Sequence, residues 1–187
     1  MKKVLVLILL TLATAGCAKK PFPASRLPQP AGHFSFVTPD GWFRSKLPGM
    51  EFLVISGPAD FGMQPNIFVE GTAPATNLAE AAAGLVGRYK SNYPSYAVST
   101  QVVFATISGM RGTKIVAHRR TRESLPVSLC HYIVLDRGRV IEVTCSCSQP
   151  AVSRYEPIFD AAMKSMEADL STHSIPRGTG VRENCDP

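Results

Sequence analysis

From Phe34 onward the chain is dominated by short apolar segments rich in β-branched and aromatic residues, most of them closed by turn residues. These segments predict strands at 34–37, 42–43, 51–56, 66–70, 96–100, 102–108, 113–121, 127–135 and 139–147. The clearest hairpin turns at Arg137-Gly138. A two-residue loop there sets Tyr132 opposite Val143 and makes the neighbouring strands antiparallel.

Two segments carry helical periodicity instead. Asn77 and Glu80 form a capping box before a predicted helix. The apolar face of this helix comprises Leu78, Ala82, Leu85, Val86 and Tyr89. Ser153 and Glu156 form a second capping box, which predicts a helix ending near Leu170. The apolar stripe of this second helix comprises Ile158, Phe159, Ala162, Met163 and Met166. The order of elements therefore predicts an α+β sandwich, with a largely antiparallel sheet of about six to eight strands and two principal helices.

Three short motifs add a family resemblance. "FSFVTPDGW" at 34–42, "PNIFVE" at 65–70 and "SRYEPIFDAAMKSM" at 153–166 resemble landmarks of the PsbP-like superfamily, which includes DcrB-like and Mog-like proteins. The resemblance spans about residues 34–170. It implies a PsbP-like sandwich and a non-enzymatic role in binding or stabilising another protein. No ligand-binding residue is carried over from the superfamily.

The N-terminus has the pattern of an export signal. Two lysines precede an aliphatic run at 4–10 that is too short to cross a bilayer, and small residues follow it. Cleavage after Ala15 would leave Cys17 as a free thiol. Alternatively, Ala15-Gly16-Cys17 resembles a bacterial lipobox, although Thr14 stands where leucine is usual. In that case Cys17 would be the mature N-terminal residue and would carry lipid.

Cysteine parity and the following segment favour the lipobox. If Cys17 is acylated, four cysteines remain, an even number that suits an oxidising compartment. Four prolines between 18 and 33 predict an extended spacer. The predicted organisation is a signal peptide at 1–16, a lipidated cysteine and linker at 17–33, the folded domain at 34–170 and a polar tail at 171–187. Ala18 after the cysteine favours the periplasmic face of the outer membrane.

Charge is a weak guide to partners. Removing Lys2 and Lys3 from the formal charge of +6 leaves +4, which suits an acidic surface but does not single out nucleic acid. The densest basic cluster comprises His118, Arg119, Arg120 and Arg122. It is either a binding patch for an acidic partner or a charged edge strand protected from aggregation; alternation of side chains along a strand favours the second interpretation.

The sequence contains no recognised catalytic motif. Gly-x-Ser-x-Gly, His-Glu-x-x-His, the phosphate-binding loop and the dinucleotide glycine pattern do not occur. Of the four histidines, His33 falls in the linker and His173 in the tail. The prediction is therefore a protein that is not an enzyme and has neither cofactor nor metal.

The downstream cysteines have two interpretations. The hairpin register sets Cys130 opposite Cys145 and diagonal to Cys147 on one sheet face, so a disulfide from Cys130 to either is reasonable, and the remaining cysteine could pair with Cys185. The rival interpretation is a thiolate metal site formed by Cys130, Cys145 and Cys147. The leading prediction is thus a membrane-anchored cell-envelope lipoprotein that binds a partner protein, and the alternative is a metal- or redox-handling lipoprotein.

Overall fold

The computed structural model describes residues 24–45, 48–49, 51–75 and 77–169, which form two antiparallel sheets and two α-helices. In chain order the strands and helices are β1 (Arg26–Gln29), β2 (Phe34–Val37), β3 (Phe43–Ser45), β4 (Val54–Ser56), β5 (Asn66–Pro74), α1 (Leu78–Asn92), β6 (Ala97–Ala105), β7 (Arg111–Arg120), β8 (Pro126–Asp136), β9 (Arg139–Ser148), α2 (Val152–Lys164) and β10 (Glu167–Ala168).

Seven strands form the main sheet in the order β3-β4-β5-β9-β8-β7-β6. The β8–β9 hairpin has the predicted register, with Tyr132 opposite Val143. Its turn residues Arg137 and Gly138 both have positive φ angles, 48° and 79°. A two-residue turn of that kind matches the right-handed twist of the strands, which accounts for the tight hairpin. Strands β1, β2 and β10 form a separate three-stranded sheet.

The main sheet is covered on both faces. On one face, Ala82 and Leu85 of α1 pack with Ile115 and Ile133; we call this the α1 face. On the other, the α2 face, Tyr132 packs with Phe159 of α2 and with side chains of the small sheet. Neighbouring residues of β8 thus belong to different layers, as the two-residue period of a strand requires. The predicted α+β fold is confirmed.

The folded region begins earlier than the predicted boundary at 34. Residues 26–29, predicted to belong to a linker at 17–33, form β1 and pair with β2. Leu27 and Gln29 are buried there, whereas the prolines of the segment predict an extended spacer outside the fold. Pro28 is tolerated because β1 is the outer strand of its sheet, where a missing N–H breaks no ladder.

The remaining differences concern element ends. Strands predicted at 96–100 and 102–108 are one strand, β6, with a register shift between Val98 and Thr100. Asn77 caps α1 as predicted, its side chain accepting from the Ala79 N–H at 2.9 Å. The second capping box is wrong, because α2 starts at Val152 and Ala151 is its N-cap. Helix α2 also ends at Lys164 rather than near 170, since Glu167 and Ala168 pair with β2.

Several predictions fall outside the described residues. These are the signal peptide, Cys17, Cys185 and the C-terminal tail at 171–187. Within the described part of the chain, neither helix has the length and apolar character needed to cross a membrane.

Candidate functional site

An open apolar groove of about 610 Å³ lies between the start of the small sheet and α2. It is lined by Ala24, Val37, Thr38, Pro39, Asp40, Trp42, Pro157, Ile158, Ala161, Ala162 and Ser165. Most of these side chains are apolar, and the carboxylate is contributed by Asp40. Such a surface suits the apolar side chains of a ligand or binding partner, and Thr38, Asp40 and Ser165 supply its polar groups.

The first wall of the groove follows from the turn after β2. Gly41 at the end of the Pro39-Asp40-Gly41 segment has a φ of 73°, a conformation that favours glycine. The turn directs Trp42 back into the core, where it is 4 % exposed and meets Phe159 edge-on with ring centroids 6.1 Å apart. Trp42 therefore forms a rigid floor that cannot swing into solvent.

The second wall is the exposed side of α2. Phe159 and Met163 point into the core, which leaves Ile158 and Ala161 to line the groove. Ser165 ties the two walls together, since its hydroxyl accepts from the Val37 N–H at 2.7 Å and donates to the Ala162 carbonyl at 2.6 Å. The groove is thus formed by segments about 120 residues apart in the sequence, and its width is held by a hydrogen-bonded link.

A buried ionic cluster fixes α2 on the sheet. The Lys114 ammonium lies 2.7 Å from a carboxylate oxygen of Glu156 and 2.7 Å from one of Asp160. The Tyr132 hydroxyl donates to Asp160 at 2.6 Å. Burial opposes the charge of Lys114, but hydrogen bonds to Asp160 and Glu156 outweigh it and raise the pKa of Lys114 above its usual value. The cluster is consequently a structural clamp behind the groove.

The three described cysteines lie on the α2 face in the predicted register, with Cys130 opposite Cys145. Cys130, Cys145 and Cys147 are buried free thiols in this structure, so the disulfide from Cys130 is not formed among the described residues and stays a prediction. Burial raises the pKa of Cys130 to about 12 and that of Cys147 to about 11, so the reactive thiolate is scarce at neutral pH.

The thiolate metal site receives no geometric support. Metal binding requires deprotonated sulfur, which burial opposes at Cys130, Cys145 and Cys147 alike. Across 24–45, 48–49, 51–75 and 77–169, no group of three or more His, Cys, Asp or Glu side chains is placed to hold a metal ion. His131 lies on the opposite sheet face from Cys130, as the strand period predicts.

The basic cluster does not form one surface. Arg119 places its guanidinium 4.5 Å from the centre of the Tyr93 ring, on the α1 face. His118 faces the other side, with Nδ1 3.1 Å from the Ser128 hydroxyl, and Arg120 donates to the Ser124 carbonyl at 3.0 Å. Arg122 lies in the turn that follows β7. Strand β7 itself is not an edge strand, because β6 pairs with it as far as His118, whereas Arg119 and Arg120 extend beyond the end of that pairing.

Sequence reasoning missed a polar network under α1. The Glu70 carboxylate accepts hydrogen bonds from the hydroxyls of Tyr89 and Thr144. Because Thr144 donates its single proton to Glu70, its oxygen accepts from Nδ1–H of His131 at 2.7 Å. A smaller cavity of about 360 Å³ is lined in part by Tyr89 and Thr144. Alternating strand patterns place these residues on one face, but only the order β5-β9-β8 brings them together.

Burial dominates the electrostatics of this network. The His131 side chain is fully buried, and burial together with the Arg88 charge lowers its pKa to about 4. Burial and the Glu70 carboxylate raise the pKa of Tyr96 to about 12, and they also raise that of Tyr89. The network therefore contains a neutral imidazole and neutral phenols at physiological pH. The hydrogen bonds of this network tie three strands to α1. Nε2 of His131 and the Tyr96 hydroxyl are buried without a hydrogen-bond partner among the described residues.

Comparison with known proteins shows the fold. No sequence-family model matches the chain, and no curated protein sequence matches it. Solved structures match its fold. The cyanobacterial PsbP of Synechocystis sp. is 12 % identical, with a TM-score of 0.58, covering 84 % of this chain and 98 % of that one. LpqN of Mycobacterium tuberculosis, involved in cell envelope biogenesis, is 15 % identical with a TM-score of 0.56, covering 78 % and 84 %.

A third solved structure extends the likeness to a eukaryote. The Ran-binding protein Mog1p of Saccharomyces cerevisiae is 8 % identical, with a TM-score of 0.55, covering 78 % of this chain and 95 % of that one. The described domain thus has the α+β fold of PsbP and Mog1p, which agrees with the family resemblance. At such identities the likeness concerns the fold.

Proposed function

We propose that this chain is a non-catalytic lipoprotein of the cell envelope that binds a partner protein through the groove between Trp42 and α2. The observation that carries the proposal is the groove itself: a preformed, mostly apolar concavity whose floor and walls are held in place by core packing. Concave apolar sites of this kind accept apolar anchors of a binding partner.

The groove lies close to the proposed membrane anchor. Ala24, on its lip, is seven residues after Cys17. At about 3.1 Å per residue for a proline-rich spacer, the groove would lie within about 22 Å of the acylated cysteine. A partner that reaches the groove would thus be a protein at or near the membrane. Ala18 after Cys17 favours the periplasmic face of the outer membrane.

Two structural neighbours support a role in binding at the envelope. Mog1p is a Ran-binding protein, so this fold serves partner recognition in at least one case. LpqN is involved in cell envelope biogenesis. The alternative, metal or redox handling at Cys130, Cys145 and Cys147, is disfavoured because all three thiols are buried and their pKa values are raised.

Filling the groove should abolish partner binding. Ala161 lies on the exposed side of α2, so Ala161→Arg would place a long charged side chain over the apolar floor without disturbing the core. Full-length tagged protein would be captured from detergent-solubilised membranes, and co-purifying proteins quantified by mass spectrometry. We expect the amount of the specific partner that co-purifies to fall at least about tenfold.

The matched control is Ala83→Arg, the same substitution at an exposed position of α1. This variant should recover the partner at the wild-type level. A partner recovered equally with both variants would exclude the groove as the binding surface, and unchanged circular dichroism would show that Ala161→Arg remains folded.

The anchor is tested separately. Mass spectrometry of the mature protein should find Cys17 as the N-terminal residue, with a lipid of two acyl chains attached through its sulfur. Cys17→Ser should leave the protein unacylated and release it from membranes into the soluble fraction. A mature chain that begins at Gly16 with an unmodified Cys17 would contradict membrane anchoring and leave the groove proposal to be judged by capture alone.

A further inference from the structure

The main sheet ends in a long edge strand that carries no charge. Strand β6, Ala97–Ala105, has the sequence AVSTQVVFA and is the outermost strand next to β7. Of its nine residues only Phe104 is buried. Val103 is 92 % exposed, and Ile107 just beyond the strand is 85 % exposed. Within the described part of the chain no strand pairs with the outer side of β6, and a strand edge of this length presents a row of backbone groups that can pair with another strand.

The opposite edge of the same sheet differs. Strand β3, Phe43–Ser45, has three residues and includes Arg44. Short length and charge are the usual means by which proteins prevent edge pairing, and β6 has neither. The register shift between Val98 and Thr100 hinders edge pairing near the start of β6. Residues 100–105, which follow the shift, form a regular segment.

We propose that β6 pairs antiparallel with β6 of a second copy of this chain, which joins two seven-stranded sheets across a two-fold axis. Self-pairing fits the composition of the strand. In an antiparallel pair of identical strands related by a two-fold axis, facing residues share a sheet face, so one residue of the strand meets its own copy at the axis. The registers centred on Val102 and on Val103 set β-branched side chains side by side, and no register opposes like charges because the strand carries none.

Because β6 carries no charge, a second copy of this strand is favoured as its pairing partner over a charged segment of another protein. A strand selected to bind a charged segment would carry complementary charge, whereas 97–105 contains no Asp, Glu, Lys or Arg. The inference goes beyond the proposed function because it concerns a surface formed by β6 alone, and it requires neither a partner protein nor the anchor.

A charge at Val103 should break the dimer. The full-length protein in detergent would be studied by sedimentation equilibrium, with a dimer expected for the wild type. Val103→Lys should weaken association by at least about tenfold, since it sets lysines against each other or beside the paired strand. Val103→Thr, which keeps a neutral β-branched side chain, should remain dimeric. Because Val103 is almost fully exposed, neither change should affect folding.

A mixing experiment identifies the occupant. Val103→Lys and Val103→Glu should each be monomeric, and an equimolar mixture should form a dimer of one copy of each. Two copies sharing a micelle by chance would persist in Val103→Lys, so that outcome, or a monomeric wild type at its highest soluble concentration, would overturn the proposal. The groove is tested by Ala161→Arg, which should leave the dimer intact. The dimer proposal and the groove proposal can therefore fail independently of each other.

Discussion

Lowering the pH from 7 to 4 should reduce the free energy of unfolding by about 3 kcal/mol through His131 alone. Burial and the Arg88 charge lower the pKa of His131 to about 4 in the folded protein, whereas an unfolded histidine has a pKa near 6.5. Between pH 6.5 and 4 the unfolded chain therefore binds a proton at His131 that the folded chain does not bind. Stability is fully present above pH 6.5 and falls as the pH drops towards 4.

Urea unfolding at a series of pH values tests this expectation. His131→Asn, whose amide takes the position of Nδ1 and keeps an N–H to donate to Thr144, should remove the part of the pH dependence between 6.5 and 4. The matched control His118→Asn changes a half-buried histidine near the end of β7 and should retain that pH dependence. Wild type and His131→Asn with the same slope over this range would show that His131 is accessible to protons in the folded state.

Replacing Lys114 should destabilise the clamp beneath α2 by about 2 kcal/mol. Lys114→Met keeps the alkyl stem but leaves the carboxylates of Glu156 and Asp160 without their cation. Removing one partner from a fully buried ion pair costs about 3–5 kcal/mol. The smaller figure reflects the exposed fractions of the two carboxylate side chains, 36 % and 30 %, which allow water to replace part of the lost interaction.

Thermal or urea denaturation measures the effect, with Lys90→Met on the exposed surface of α1 as control. The control should change the free energy of unfolding by no more than about 0.5 kcal/mol. Adding Asp160→Asn to Lys114→Met should recover part of the loss, because one uncompensated carboxylate is removed. Equal stability of Lys114→Met and Lys90→Met would mean that the cluster does not hold α2.

The fold was predictable because its strongest elements are local. The hairpin around Arg137-Gly138 sets its own register, and the apolar stripe of α1 sets its buried face. The element ends were less predictable. Glu167 and Ala168 follow the predicted stripe of α2, yet they pair with β2, which gives their backbone groups partners outside a helix. Strand β1 escaped detection because the four prolines of 18–33, of which Pro28 lies in β1, indicated a spacer.

The site was much less predictable than the fold. Trp42 and Ile158 are recognisable as apolar residues of a turn and a helix, but nothing local indicates that they line the same groove. The network of Glu70, Thr144 and His131 depends in the same way on the strand order of the sheet. The cysteine register, by contrast, was correct. The disulfide stays a prediction, because register places the sulfurs on one face while the three described thiols are free in this structure.

If a protein occupies the groove between Trp42 and α2 in the cell envelope, as we propose, photo-crosslinking in living cells should capture it. A photoreactive phenylalanine analogue would be placed at Ala161 in the groove or at exposed Ala83 on α1, in the full-length chain. We predict a discrete crosslinked protein from position 161 that is absent from position 83 and is lost in Cys17→Ser. No protein crosslink from 161, or the same crosslinks from both positions, would contradict the account.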